Sequence, residues 1–211
     1  MIPVTVLAVR YLANASPVLA QALGAEPGYH CLGMLTTDCD DATYIALDQA
    51  TKAAQVEVCF ARSFYAGAAN ATTPHAGEVI GILAGASPGA VRSGMEAALA
   101  ALERVGFEEA GDVPYLARTV SSTGTYLSAE AGIRPGEALA YLIAPPLEAM
   151  YALDAALKAS QVRLAKLYPP PSETNFGGGL LTGSRSACEA ACAAFAQAVR
   201  QVADRPREGE V

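Results

Sequence analysis

The sequence predicts an α+β fold made of two similar units. Apolar strand-like runs alternate with segments of helical spacing in each half of the 211-residue chain, and the strands are joined both by helices and by loops. The second half also repeats the first, because eight residues between Ala46 and Val56 recur in order between Ala152 and Val162. Such self-similarity indicates two copies of one folding unit.

Two flanking matches support the repeat. Pro27-Gly28 recurs as Pro135-Gly136, and the glycine-bounded run 81–85 recurs as 179–183, in the same order along the chain. We therefore predict a first domain over residues 1–108 and a second over 109–211, with a hinge near 108–114. Each copy is long enough for one modest hydrophobic core.

Local patterns place the elements of the first half. Strands are predicted at 4–9, 29–35, 56–60 and 79–83, and helices at 16–23, 41–54 and 88–102. Ser16, Asp41 and the Ser87-Pro88 pair are the residue types that begin helices. The first half therefore reads as a sheet with helices between several of its strands.

The second half follows the same order. Strands are predicted at 139–144, 162–164 and 180–181, and a helix at 147–159. Cys188, Cys192, Phe195 and Val199 form an apolar stripe on a last helix. Cys188 and Cys192 could chelate a metal, but a buried cysteine in such a stripe behaves as a small hydrophobe, and we expect no metal.

Composition excludes several function classes. A net charge of −7 without a basic cluster argues against nucleic-acid binding. No signal peptide or membrane span is expected, and five cysteines without secretory context predict reduced thiols in a cytosol. The sequence contains no nucleophile–base pattern, phosphate loop or zinc motif, so we expect neither an enzyme nor a cofactor. Only 17% of the residues are charged, which favours self-association.

Three features have alternative interpretations. The acidic run Asp38, Asp40 and Asp41 is able either to bind a cationic amine or to cap the following helix. The small-residue loop 63–75 and its counterpart 171–179 are mobile functional loops or ordinary surface connections. Lys52 and Lys158 either contact another molecule or are solvated lysines, which are favourable near the negative end of a helix.

Several segments together resemble a known family. The twice-repeated helix signature is similar to the bacterial microcompartment (BMC) shell domain, and residues 38–45, 63–69, 144–149 and 169–175 resemble the tandem-domain shell proteins of ethanolamine utilization. The resemblance implies two circularly permuted, ferredoxin-like BMC domains, and three chains that close into a pseudohexamer. It implies a non-catalytic tile in a cytoplasmic microcompartment shell, beside other shell proteins, with a central pore and smaller pores.

The resemblance also implies roles for particular residues. Lys52 and Lys158 match the lysine at the edge where tiles meet. Ethanolamine is expected at a small pore, and the pore loops are expected around the centre of the trimer. The small-pore residues are Asp40, Asp41, Glu78, Phe107 and Thr174, and the pore-loop residues are Phe64, Tyr65, Asn70, His75, Asn175, Gly177 and Gly178. The alternative is a trimeric amine-binding regulatory protein that does not tile.

Overall fold

An antiparallel sheet with the strand order β1-β2-β4-β3 forms the centre of the N-terminal unit in a computed structural model. The structure describes residues 1–64, 73, 75–170 and 175–207. The N-terminal unit consists of Pro3–Gly106 together with Gly124–Leu127. Its elements in chain order are β1 (Val6–Leu12), α1 (Pro17–Ala22), β2 (Cys31–Thr37), α2 (Asp40–Ala53), β3 (Glu57–Ser63), β4 (Val79–Gly85) and α3 (Pro88–Leu102).

The C-terminal unit has an antiparallel sheet with the order β5-β6-β7-β9-β8. It contains Met1–Ile2, Phe107–Thr123 and the chain from Ser128 onward, so helix α4 contributes to both units. Its elements are β5 (Glu108–Ala110), β6 (Val113–Val120), α4 (Thr125–Ala131), β7 (Ala138–Ala144), α5 (Pro146–Ala159), β8 (Val162–Tyr168), β9 (Gly177–Gly183) and α6 (Arg185–Asp204).

Both units have the connectivity of a permuted ferredoxin-like domain. In the N-terminal unit, β2 and β3 both pair antiparallel with β4, so β2-α2-β3 is a crossover with one strand between its ends. The strand that would end a ferredoxin-like domain comes first here, as β1 beside β2. The segment from β6 to α6 repeats this arrangement, which confirms the predicted α+β fold with circularly permuted domains.

The repeat extends to strand register. Cys31 lies opposite Gly85 and Thr37 opposite Val79 in the N-terminal unit, and the C-terminal unit pairs seven equivalent positions from Ala138 with Gly183 to Ala144 with Gly177. A register shift interrupts β3 between Val58 and Phe60, and the matching shift interrupts β8 between Leu164 and Lys166. The halves therefore share backbone geometry well beyond the residues that are identical.

Helices cover one face of each sheet. Helix α2 packs on α3, and α5 packs on α6. A Cβ atom at Gly81 of β4 would lie 2.5 Å from the Leu47 side chain of α2, and one at Gly33 of β2 would lie 2.8 Å from Val91 of α3. Such close approach of helix to strand leaves no room for a larger residue at either glycine.

The helix starts agree only partly with the predicted caps. Ser87 is the N-cap of α3, and its hydroxyl accepts from the N–H of Ala90 as expected. Ser16 occupies the N-cap position of α1, but its side chain makes no capping bond. The cap predicted at Asp41 is wrong, because α2 begins at Asp40 with Cys39 at the N-cap.

Two other expectations need correction. The predicted hinge at 108–114 is a β-hairpin, in which β5 pairs with β6 and Glu108 lies opposite Tyr115. The predicted loop 171–179 is shorter than expected, because Gly177 and Gly178 are buried residues of β9 opposite Ala144 and Ile143. In the part of the chain that the structure describes, no helix is long and apolar enough to span a bilayer.

Gly178 provides a test of this packing. Its Cβ position lies 1.9 Å from the carbonyl oxygen of Leu142 in the neighbouring strand, so Gly178→Ala requires the sheet backbone to shift. We expect a loss of about 2–3 kcal/mol in the free energy of unfolding, measured by urea titration at fixed protein concentration.

Gly89 is the matched control for this substitution. Nothing lies within 4 Å of its Cβ position near the start of α3, so Gly89→Ala is expected to stabilise by up to about 1 kcal/mol. Equal stability of Gly178→Ala and the parent protein would contradict the described approach of β9 to β7.

Candidate functional site

Four carboxylates form an acidic cluster in the N-terminal unit, made of Asp38, Asp40, Asp41 and Glu78. Asp38 follows the last residue of β2, Asp40 and Asp41 open α2, and Glu78 precedes β4. Because β4 pairs with β2, the N–H of Glu78 donates to the carbonyl of Thr37 at 2.8 Å. This pairing brings residues that are far apart in sequence to one edge of the sheet.

Short hydrogen bonds fix the turn that carries these acids. The buried hydroxyls of Thr37 and Thr43 lie 2.7 Å apart, and the N–H of Cys39 donates to the Thr37 hydroxyl at 3.2 Å. The Asp38 carboxylate accepts from the N–H of Thr5 at 2.7 Å. The acids are therefore held by backbone and threonine hydroxyls rather than by flexible surface contacts.

Electrostatics within the cluster favours a bound cation. Burial raises the pKa of Asp40, while the N–H of Asp41, which donates to the Asp40 carboxylate at 2.8 Å, partly offsets that shift. Burial, together with the charges of Asp40 and Asp38, raises the pKa of Glu78 from an ordinary 4.5 to about 7. Burial and the neighbouring Asp41 raise the pKa of the Cys39 thiol well above its usual value. Each shift reports a site where added negative charge is costly, and a positive ligand would relieve this cost.

The structure brings together part of the predicted small-pore set. Asp40, Asp41 and Glu78 belong to the acidic cluster, and Asp40 and Asp41 are both buried. Phe107 belongs to the C-terminal unit, where its buried ring lies 5.7 Å from that of Phe176. Thr174 lies outside the described residues.

The predicted pore-loop residues are spread over two connections. Phe64 is exposed at the end of β3, and its N–H donates to the Glu78 carbonyl at 2.9 Å, next to the acidic cluster. His75 and Asn175 are exposed, and Asn175 has a left-handed φ of 64° that suits a turn. Tyr65 and Asn70 lie outside the described residues, and Gly177 and Gly178 are the strand residues described above.

The two predicted edge lysines have equivalent ion pairs in different surroundings. Lys52 lies 3.3 Å from Asp48, and Lys158 lies 2.6 Å from Asp154, each at i,i+4 on its helix. The Asp48 side chain is 0% exposed, whereas that of Asp154 is 62% exposed. The repeated Asp–Lys spacing is visible in the sequence, but the difference in burial is not.

Asp48 has a structural role that the sequence analysis missed. Its carboxylate accepts from the N–H of Gly124 at 2.8 Å and from the N–H of Leu127 at 2.9 Å, in addition to its contact with Lys52. A buried carboxylate with these three partners fixes the segment 124–127 within the N-terminal unit.

Three of the five cysteines, Cys31, Cys188 and Cys192, are core residues, and Cys39 and Cys59 are partly buried. All five are free, and Cys188 and Cys192 are buried on α6 as the apolar stripe predicted. The Thr119 hydroxyl donates to the Cys192 sulfur at 3.3 Å. Among the described residues, no group of three or more His, Cys, Asp or Glu side chains is arranged to hold a metal ion.

Comparison with known proteins defines the class of this fold. The BMC domain family matches residues 31–112. The match begins at the first residue of β2, so β1 and α1 precede it, as circular permutation requires. The trimeric microcompartment shell protein PduB has the same fold at a TM-score of 0.77, with 20% identity over 96% of this chain and 91% of that one. The fold is that of a bacterial microcompartment shell protein.

Closer relatives define the family. The microcompartment shell protein EutL of Clostridium perfringens is 60% identical over 95% of this chain and 94% of its own length, and that of Escherichia coli K12 is 49% identical over 96% and 94%. The crystal structure of the Clostridium perfringens protein matches with a TM-score of 0.95 over 99% of this chain and 96% of that one. The chain belongs to the EutL family of bacterial microcompartment shell proteins.

Proposed function

We propose that three copies of this chain form a flat pseudohexameric tile of an ethanolamine-utilization microcompartment shell, which passes small molecules and has no catalytic role. The observation that carries the proposal is the shared topology and register of the two halves, in a chain that belongs to a shell-protein family. Two equivalent domains in each of three chains would supply six positions in a closed ring. The domain limits 1–108 and 109–211 are part of this proposal.

The acidic cluster is proposed as the amine site of the small pore. Glu78 is half-buried beside two further acids, and its pKa is raised by burial and by their charges, a cost that an ammonium group would relieve. Ethanolamine has one ammonium and one hydroxyl, so Asp40, Asp41 and Glu78 would bind the cation. The Thr174 hydroxyl and the Phe107 ring are proposed as a polar partner and an apolar wall.

The connections that follow β3 and β8 are proposed to line the central pore. Phe64 and Tyr65 are suited to narrow it, with Asn70, His75 and Asn175 as its polar residues. Gly177 and Gly178 contribute to its base as the first residues of β9 rather than as a loose loop. Phe64 is joined through its N–H to the carbonyl of Glu78, which connects the proposed central pore to the proposed amine site.

Replacing both edge lysines tests tiling. We choose Lys52→Gln with Lys158→Gln, because an acidic residue at position 52 would place a second carboxylate beside the buried Asp48. Asp48 would keep its bonds to the N–H groups of Gly124 and Leu127 in this variant. We therefore expect the double variant to remain trimeric by light scattering and to lose the ordered sheets that the parent protein forms in negative-stain electron micrographs.

Lys166→Gln is the control for this experiment. Lys166 lies on β8, whereas the two edge lysines lie on helices, and it forms an ion pair with Glu130. This variant is expected to keep the sheets. Normal sheets from the double lysine variant would refute the edge role, and a trimeric parent that never forms sheets would favour an amine-binding regulatory protein.

Calorimetry with ethanolamine tests the amine site. Asp40→Asn combined with Glu78→Gln removes two charges that would face the ammonium, so we expect at least tenfold weaker binding. Glu57→Gln is the control, because Glu57 is another partly buried carboxylate of the same unit that instead accepts from the N–H of Glu26. Unchanged heats in the double variant would rule out this assignment.

The pH dependence of the same binding has a definite sign. The pKa of Glu78 is raised to about 7, so the neutral form increases as the pH falls through that value, and an ammonium ligand favours the ionised form. The ionised fraction falls from about nine tenths at pH 8 to about one tenth at pH 6, which predicts roughly tenfold weaker ethanolamine binding at the lower pH. In Glu78→Gln this dependence is expected to disappear, and a pH-independent affinity in the parent protein would count against Glu78 as a ligand.

A further inference from the structure

The repeated helices α2 and α5 have the same buried face but differ on a second face. Their alanines at the sheet-facing positions are fully buried in both copies. On the second face, Asp48 is 0% exposed, whereas its counterpart Asp154 is 62% exposed. The other two positions of this face differ in the same way. Asp41 and Ile45 of α2 are buried, whereas their counterparts in α5, Leu147 and Tyr151, are exposed apolar side chains. We call Leu147, Tyr151 and Asp154 the open α5 face.

The segment 124–127 covers part of the second face of α2. Its N–H groups at Gly124 and Leu127 donate to Asp48, and the ring of Tyr126 lies 6.0 Å from that of Tyr44. Leu127 is consequently 1% exposed. The α2 face thus shows which partner this helix surface accepts, namely a short helical turn with an apolar side chain and backbone N–H groups.

The equivalent turn in the other half of the repeat is 16–19. The backbone bond from Ala25 to Ala20 recurs from Ile133 to Ser128, and the left-handed Gly24 and Gly28 recur as Gly132 and Gly136. A shift of 108 residues therefore aligns α1 with α4 and places Ser16 and Leu19 at the positions of Gly124 and Leu127. Within α1, Leu19 is 44% exposed and Val18 more so, unlike their counterparts.

We propose that the turn 16–19 of one copy of this chain packs against the open α5 face of the next copy. Val18 and Leu19 would cover Tyr151 beside the half-buried Met150, and the Asp154 carboxylate would accept from the N–H of Leu19. The bond that Gly124 makes is not carried over to Ser16, because a Cβ atom at Gly124 would lie 2.2 Å from the Thr51 hydroxyl. Val18, Leu19, Leu147 and Tyr151 are all exposed in the described part of the single chain, so these side chains are free to contact a second copy. The two surfaces are different, so the contact is heterologous, which is the type that closes rings.

This inference rests on the proposed homotrimer and names the surfaces that join its chains. The chemistry of the two surfaces agrees with it. The exposed apolar residues of each would be removed from water, and a carboxylate would meet the N–H of Leu19 in the first turn of a helix whose N-cap side chain makes no capping bond. Asp48 already makes the equivalent bond, to the N–H of Leu127, within the chain.

Cross-linking of the full-length protein tests the contact. Val18 and Met150 correspond to Tyr126 and Tyr44, so Val18→Cys combined with Met150→Cys is expected to give covalent two-chain and three-chain species with a short bismaleimide. Each single variant should give no more product than the parent protein, whose five cysteines set the background. Tyr44→Cys with Tyr126→Cys is the matched intrachain control and should link without any increase in mass.

A surface charge provides a second test. Leu19→Glu changes a side chain that is already exposed in the single chain, and we expect at least a tenfold rise in the protein concentration at which the assembly dissociates, measured by light scattering. Leu167→Glu on β8 is the control, with a leucine of similar exposure outside the proposed contact, and should leave that concentration unchanged.

The outcomes separate this inference from the function on which it rests. Interchain links together with weaker assembly of Leu19→Glu support it. A parent protein that forms trimers, without these links and with full assembly of Leu19→Glu, overturns the contact alone and indicates that a different surface joins the chains. A parent protein that is monomeric at all concentrations overturns both the contact and the homotrimer.

Discussion

A buried carboxylate needs hydrogen-bond donors or a cation to offset its charge. In this structure the requirement has its widest consequences at Asp48. Its two backbone donors come from Gly124 and Leu127, and its cation is Lys52. Loss of these partners would leave a charge isolated from water, which costs several kcal/mol. The requirement therefore ties a segment from the second half of the sequence to the unit formed by the first half.

At the equivalent position of the repeated helix, Asp154 is paired with Lys158 but has no backbone N–H donor among the described residues. Asp154 and Lys158 keep the ion pair, but both are exposed, and exposed pairs at this spacing contribute about 0.3–0.5 kcal/mol. One sequence motif is thus buried and bonded to a neighbouring segment in one copy, and forms an exposed ion pair in the other. The proposed assembly would account for this asymmetry, because equivalent helix faces need equivalent partners, and among the described residues the chain supplies such a partner to α2 alone.

The acidic cluster depends on sheet geometry rather than on the helix that carries most of it. Glu78 reaches the acids at the start of α2 because β4 pairs with β2 in a register that sets Val79 opposite Thr37. A slip of one residue would turn the neighbouring side chains to the other face. The glycines of β4 and β9 protect that register, because larger residues there would collide with Leu47 or with the carbonyl of Leu142. Strand packing and the proposed amine site are therefore linked.

Local sequence patterns predicted most elements of the two repeats but missed β5, β6 and α4, which lie in succession between them. The apolar run around Leu142 and the stripe of α6 identify their elements, because periodicity over many residues averages out exceptions. The three-residue strand β5, rich in exposed glutamate, and the seven-residue helix α4 have too few residues for any period. The glycines at 177–179 suggested a loose loop, but they are required where β9 lies tightly between its neighbours.

The sequence predicted which residues belong to the candidate site, but not how they are arranged. Asp40 and Asp41 attract attention as adjacent acids, and Glu78 was included through the family resemblance, because no local pattern joins it to them. The raised pKa of Glu78 results from burial and from charges brought close by strand pairing, which sequence spacing does not encode. The contrast between Asp48 and Asp154 is likewise absent from the local sequence, because both residues lie in the same Ala-Leu-Asp motif with a lysine four residues later.

Hydrogen exchange of the assembled protein tests the equivalence of the two halves most directly. The amide of Leu127 is bonded to Asp48 and should exchange slowly at every protein concentration. If the halves occupy equivalent positions in one ring, the amide of Leu19 becomes comparably protected in the assembly and loses that protection on dilution to single chains. Fast exchange at Leu19 in fully assembled protein would contradict the account.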